Sequence, residues 1–173
     1  ETGHLYKGIM YGGFIAVRDG VRLIEYNARF GDPEAMNALT LLKTDFIAIC
    51  EAIIAGTLDQ LHIEFENAAT VLKYVVPNGY PDAPIKGEKV QPPSQLPEGV
   101  SMYYASVDST TEGLVLGGSR ALAFIAKGPS LDAAEALVEA AASSVVGPVF
   151  HRKDIGTAPL IAVRMEQMKH LRT

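Results

Sequence analysis

At 173 residues, with 48% apolar and 20% charged side chains, the chain can bury a core as one or two small domains and is unlike a disordered tail. A net charge of −5 with no basic stripe excludes a nucleic-acid-binding surface, and no apolar run approaches the roughly 20 residues that cross a bilayer. Cys50 is the only cysteine, which excludes an internal disulfide and a cysteine metal centre.

In chain order, residues 5–17 read as a strand, with Gly12-Gly13 as a bulge or close-approach point. Arg18-Asp19-Gly20 is a hairpin turn, and residues 21–27 form the partner strand. Asp32 is expected to cap a helix that has Pro33 at its first position and Glu34 in its first turn. Thr44 or Asp45 caps a second helix, in which Phe46, Ile49, Cys50, Ile53 and Ile54 recur at helical spacing. Cys50 reads there as a small buried hydrophobe, and Gly56 ends the helix.

From about Ala68 the texture changes. Thr70–Val76 is a strand rich in β-branched residues. The stretch from Pro77 to Pro97 holds six prolines and must be mostly loop. Val100–Val107 reads as a strand and Asp108–Glu112 as a turn. Leu114–Leu116 and Arg120–Ala126 read as a hairpin across Gly117-Gly118-Ser119. Ser130 caps an Ala-rich helix over Leu131–Val145. Val149 to Gly156 reads as irregular, and Leu160–Leu171 as a terminal helix.

The chemistry concentrates in one strand and the turn that follows it. Strict alternation puts Val21, Leu23, Glu25 and Asn27 on one face and Arg22, Ile24 and Tyr26 on the other. Glu25 and Asn27 then offer a carboxylate and an amide oxygen side by side. That is a hard-oxygen pair suited to magnesium, which takes few protein ligands and completes its octahedron with phosphate and water. If the strand persists to Arg29, it adds a planar cation where a phosphate or carboxylate would sit. An acid on a strand is ordinarily a solvated edge residue. Against that, an unpaired charge among Val21, Leu23 and Ile24 would be costly to bury, and the strand runs into Gly31-Asp32-Pro33 rather than a hairpin.

Other candidates are weaker. Neither Gly12-Gly13 nor Gly117-Gly118 has the spacing or lysine of a phosphate loop. His4, His62, His151 and His170 are scattered, and no Gly-x-Ser-x-Gly elbow exists. Arg152, Lys153 and Asp154 form a charge cluster, the usual composition of a solvated surface.

Taken with these motifs, the chain resembles the phosphoribosylamine–glycine ligase (glycinamide ribonucleotide synthetase) family. The strings that carry the resemblance are the strand pair Leu5–Tyr11 and Val21–Asn27, then Arg29-Phe30-Gly31-Asp32-Pro33-Glu34 and Leu42-Lys43-Thr44-Asp45. They continue with Asn78-Gly79-Tyr80-Pro81, Gly117-Gly118-Ser119-Arg120 and Arg152-Lys153-Asp154-Ile155-Gly156. The first and last of the Arg-containing strings are specific only in combination.

The resemblance implies an α+β chain. Residues 1–64 would be the carboxy-terminal part of an ATP-grasp domain. Residues 65–173 would be a small β-rich domain with a packed helix, of the barrel-sandwich or rudiment single hybrid kind. It implies an ATP-dependent carbon–nitrogen ligase of purine biosynthesis, cytoplasmic, which joins glycine to 5-phosphoribosylamine through a glycyl phosphate. Glu25 and Asn27 would hold magnesium or manganese, and Arg29 would be catalytic, neutralising the acyl phosphate or a substrate anion. The recurrence of Arg152-Lys153-Asp154 in the family implies contact either with the ATP-grasp unit or with the substrate phosphate. Family members carry amino-terminal domains ahead of this region. The chain is therefore expected to be a carboxy-terminal piece, inactive by itself and prone to pair with a second copy through an exposed strand edge. Many ATP-grasp enzymes place another metal acid on the preceding strand, whereas Leu5–Val17 contains none. Another ATP-grasp carboxylate–amine ligase, or a purely structural module, are the rival readings.

Overall fold

The computed structural model describes Gly3 and residues 5–172; His4 lies outside the described residues. The chain divides into two compact units, one of residues 1–67 with 164–173, the other of Ala68–Val163. The fold is mixed α+β with antiparallel sheets throughout.

In the first unit, β1 (Tyr11–Val17) and β2 (Gly20–Asn27) form an antiparallel hairpin. The expected strand over residues 5–17 is thus shorter. Asn27 is the last residue of β2 and pairs with Tyr11, so residues 5–10 have no partner in the sheet. A bulge lies where Gly12-Gly13 suggested one, but its extra residue is on the opposite strand. Gly13 faces Glu25 and Phe14 faces Leu23, leaving Ile24 between them.

That bulge corrects the expected alternation. Facing residues share a side of the sheet, and Gly13 and Phe14 are neighbours on opposite sides. Leu23 and Val21 therefore lie with Phe14 and Tyr26, while Glu25 and Asn27 lie with Tyr11, Gly13 and Arg22. The edge-to-face contact of Phe14 and Tyr26, with centroids 5.8 Å apart, belongs to the first side.

Two helices follow, α1 (Glu34–Leu41) and α2 (Phe46–Ala55). Asp32 does not cap α1. The capping position is Pro33, with no side-chain cap bond, and the first amides go to backbone: Ala35 N–H to the Gly31 carbonyl and Met36 N–H to that of Pro33, both at 3.0 Å. Asp45 does cap α2, accepting from the Ile47 amide at 3.0 Å, and Gly56 closes it in the left-handed region at φ +77°. Ile49 is buried, but Cys50 is only half-buried, which corrects its reading as a core residue.

In the second unit, β3 (Ala69–Pro77), β4 (Val100–Tyr104), β7 (Leu122–Gly128) and β8 (Val149–His151) make one sheet in the order β4-β7-β3-β8. A separate hairpin joins β5 (Val107–Thr110) to β6 (Gly113–Leu116). Three expectations change here. Val100–Val107 is not one strand: it breaks at Ala105-Ser106, where the Ser106 carbonyl accepts from Gly117 N–H at 3.0 Å. Leu114–Leu116 does not pair with Arg120–Ala126, because β7 already has β3 on one edge and β4 on the other. It pairs with β5 instead, so the turn expected over Asp108–Glu112 narrows to Thr111-Glu112. Residues Val149–His151 are strand, not irregular, because the end of β3 leaves an open edge that they fill.

Helix α3 (Leu131–Ser143) packs on β3 and β7, two residues shorter than expected. Ser130 caps it as predicted, its Oγ accepting from the Ala133 amide at 3.2 Å. Val71, Val75, Leu122, Phe124 and Ala126 of the sheet meet Ala134, Val138, Ala141 and Ala142 of the helix in one core. The helix presents small residues, so it can lie close over the bulkier sheet face. Helix α4 (Ala158–Arg172) ends the described chain. No helix among the described residues is long and apolar enough to cross a membrane.

Candidate active site

The site in the first unit is built by the end of β2 and the turn into α1. Because they stand two positions apart on the regular part of β2, Glu25 and Asn27 do project together. The Asn27 Nδ2 donates to Glu25 Oε1 at 3.1 Å. Glu25 is exposed and Asn27 half-buried, so the expected burial cost at Glu25 does not arise. A half-turn of the Asn27 amide exchanges its nitrogen for its oxygen. Two oxygens about 3 Å apart span one edge of an octahedron with 2.0–2.1 Å arms, the geometry magnesium demands. The donor set therefore fits a hard divalent cation through two protein ligands. Among the described residues no three His, Cys, Asp or Glu side chains converge on one point, so phosphate and water would complete such a shell.

Arg29 is not joined to that pair. The strand ends at Asn27, and the Arg29 guanidinium turns back to donate from Nη1 to the Phe30 carbonyl at 2.7 Å. Its side chain is exposed.

Two neighbours escape a reading of the sequence. Tyr11, opposite Asn27, donates its hydroxyl to Glu34 Oε1 at 2.9 Å. That bond, then partial burial and the charges of Glu34 and Glu25, raise the Tyr11 phenol above its ordinary 10.0. The phenol stays protonated and ties the first turn of α1 to the strand that faces the acid–amide pair. Gly31 makes this possible: a Cβ there would stand 2.6 Å from Glu34 Oε2 and 3.0 Å from the Tyr11 ring. The glycine in Arg29-Phe30-Gly31 is the one visible signal of this close approach.

The second unit holds a separate charged cluster. Lys73, in the middle of β3, is fully buried. Its Nζ donates to Glu135 Oε1 at 2.7 Å, Glu139 Oε2 at 2.6 Å and the Lys153 carbonyl at 3.0 Å. His151 Nε2 lies 3.1 Å from both Glu139 oxygens, and Ser143 Oγ donates to Glu139 Oε1 at 2.9 Å. Burial pushes the Glu139 carboxyl up, but the bonds from Lys73, His151 and Ser143 outweigh it and hold the group at about 2. Arg152 pairs with Asp154 through Nε at 3.0 Å and Nη2 at 2.5 Å, which raises the guanidinium and lowers the carboxyl. The spacing of Glu135, Glu139 and Ser143 along one helix face is the available hint, and a lysine inside an apolar strand is the other.

Comparison with known proteins follows this division. Residues 70–158 match the family described as phosphoribosylglycinamide synthetase, C domain, and residues 1–35 match phosphoribosylglycinamide synthetase, ATP-grasp (A) domain. A phosphoribosylamine–glycine ligase of Methanocaldococcus jannaschii is 47% identical over 169 residues, covering 96% of this chain and 38% of that protein. Its counterpart in Methanoregula boonei is 50% identical over 173 residues, covering 99% and 40%. The crystal structure of phosphoribosylamine–glycine ligase from Thermotoga maritima superposes with a TM-score of 0.68 at 28% identity, covering 84% of this chain and 36% of that one. The chain spans about two fifths of the length of the curated relatives it matches.

Proposed function

The chain belongs to the phosphoribosylglycinamide synthetase family, and from that premise we propose that it serves as part of a ligase joining glycine to 5-phosphoribosylamine at the expense of ATP. On this reading residues 1–64 finish an ATP-grasp domain and residues 65–173 form the carboxy-terminal domain. The observation that carries the reading is the acid–amide pair: Glu25 and Asn27, 3.1 Å apart on one side of a strand, inside the segment that matches the ATP-grasp model.

Glu25 and Asn27 would hold magnesium or manganese, which would supply charge neutralisation at the ATP phosphates. A glycine carboxylate oxygen attacks the γ-phosphorus and ADP leaves, giving glycyl phosphate. The amine of phosphoribosylamine then attacks the acyl carbon, the carbon–nitrogen bond forms, and phosphate departs with a proton lost from nitrogen. No side-chain nucleophile is required, so positioning and electrostatics do the work. Arg29 releases the Phe30 carbonyl and turns its guanidinium to the acyl phosphate or a substrate anion. Tyr11 and Glu34 keep the turn carrying Arg29 against the strand that faces the pair. The soluble substrates and the lone thiol of Cys50 agree with a reducing, cytoplasmic setting.

The test is Glu25→Gln in a complete ligase containing this chain. The exposed substitution leaves the fold intact, and activity drops by about 100-fold or more, because a neutral amide binds magnesium poorly. Asn27→Ala has the same or a milder effect. Wild-type kcat in Glu25→Gln at saturating magnesium would overturn the assignment.

A further inference from the structure

Arg29 stands on a turn that the sheet does not hold, because β2 ends at Asn27 and residues 28–33 have no strand partner. The guanidinium adds no anchor of its own: its Nη1 donates to the carbonyl of the adjacent residue, Phe30, at 2.7 Å. A loosely held arginine is a poor neutralising group, since a misplacement of about 1 Å can cost about 100-fold in rate.

The turn is nevertheless gripped from two sides. The Phe30 ring packs on Phe46, the first residue of α2, with centroids 5.8 Å apart and planes tilted by 42°. On the other side stands Tyr11 of β1, whose one side chain holds two residues. Its ring lies so close to the buried Gly31 that a Cβ there would come within 3.0 Å of it, and its hydroxyl donates to Glu34 Oε1 at 2.9 Å. The Ala35 amide, bonded to the Gly31 carbonyl at 3.0 Å, joins those two points. Arg29 is thereby a flexible arm on a fixed base. Exchanging the neutral Phe30 carbonyl for an anionic oxygen is favourable, because charge-assisted hydrogen bonds are about twice as strong as neutral ones.

We propose that Tyr11 is a positioning residue that acts through Arg29: its grip on Gly31 and Glu34 fixes the turn, so that the guanidinium reaches the anion formed on the substrate by rotation of its side chain alone. The proposal rests on the ligase reading, in which that anion is the acyl phosphate. It gives Glu34 the role of a hydrogen-bond acceptor rather than of a charge.

The test uses a complete ligase containing this chain. Tyr11→Phe keeps the ring on Gly31 and removes the hydroxyl, and Glu34→Ala removes its acceptor. In each, kcat falls about tenfold, as for one lost hydrogen bond to a charged group, while the KM for ATP stays within about twofold. Glu34→Gln keeps an acceptor oxygen and retains about half of kcat or more. In an Arg29→Ala background, Tyr11→Phe changes kcat by less than about twofold, because no guanidinium is left to position. A similar loss in both backgrounds overturns the proposal, since a merely structural tyrosine would produce it. So does an unchanged kcat in Tyr11→Phe, or a Glu34→Gln enzyme as impaired as Glu34→Ala. If Arg29→Ala itself keeps wild-type kcat, the arm is unused and the proposal falls while the ligase reading stands. An unaltered ligase that makes no glycinamide ribonucleotide overturns the ligase reading, and this proposal with it.

Discussion

Replacing Lys73 by Met tests how the second unit is held together. Methionine keeps the length of the buried stem but removes the ammonium from Glu135, Glu139 and the Lys153 carbonyl. Breaking a buried ion pair by deleting one partner costs about 3–5 kcal/mol, since the other charge is stranded. Here the carboxylates are 19% and 27% exposed and can draw water, and Glu139 keeps His151 and Ser143. The expected loss is therefore about 2–4 kcal/mol. For a unit of this size each kcal/mol moves the midpoint by about 4–8 °C, so the melting transition should fall by roughly 8–30 °C. Calorimetry or thermal circular dichroism on the 173-residue chain reads this directly. Adding Glu135→Gln and Glu139→Gln should recover at least half of the loss, because no unpaired carboxylate remains. A Lys73→Met midpoint within about 3 °C of the parent, or a triple variant no better than the single, would refute the reasoning.

Acid should release the same network. Glu139 is held at about 2 from an ordinary 4.5, so its contribution to stability is fully present above about pH 4.5 and is lost as pH falls towards 2; a denaturant midpoint series with Glu139→Gln as control should show that loss only in the parent. The 173-residue chain alone should release no ADP above background from ATP, magnesium, glycine and phosphoribosylamine, since it spans about two fifths of the length of the ligases it resembles; steady turnover by the pure chain would contradict this. Phe14, Ile15, Val21, Leu23, Ile24 and Tyr26 are all more than half exposed on the β1–β2 hairpin, so the isolated chain should dimerise through it. Light scattering across a concentration series checks this, and a strictly monomeric mass at high concentration counts against it.

Features set by local chemistry are legible in the sequence. Asp45 and Ser130 cap their helices and Gly56 ends one, because each acts within four residues of itself. The run Thr70–Val76 is strand because β-branched side chains fit a buried pleat. Illegible features depend on partners far along the chain. The extra residue at Ile24 is visible only against β1, and it moves Tyr26 to the side of Leu23. β6 has the spacing to pair with β7, but competition from β3 and β4 decides otherwise. At the candidate site, Glu25 and Asn27 follow from strand period alone. Tyr11 and Glu34 require the turn at Gly31 to fold them together, and Lys73 requires a strand, a helix and a loop from three regions of sequence.

The central claim is that the complete ligase activates the carboxylate of glycine by phosphorylating it. Glycine labelled with oxygen-18 in its carboxylate tests this most directly, with the released phosphate followed by phosphorus NMR after turnover with ATP and phosphoribosylamine. Attack by the carboxylate on the γ-phosphorus predicts one labelled oxygen in phosphate for each glycinamide ribonucleotide formed. Product with unlabelled phosphate, or ADP release that needs no glycine, would contradict it.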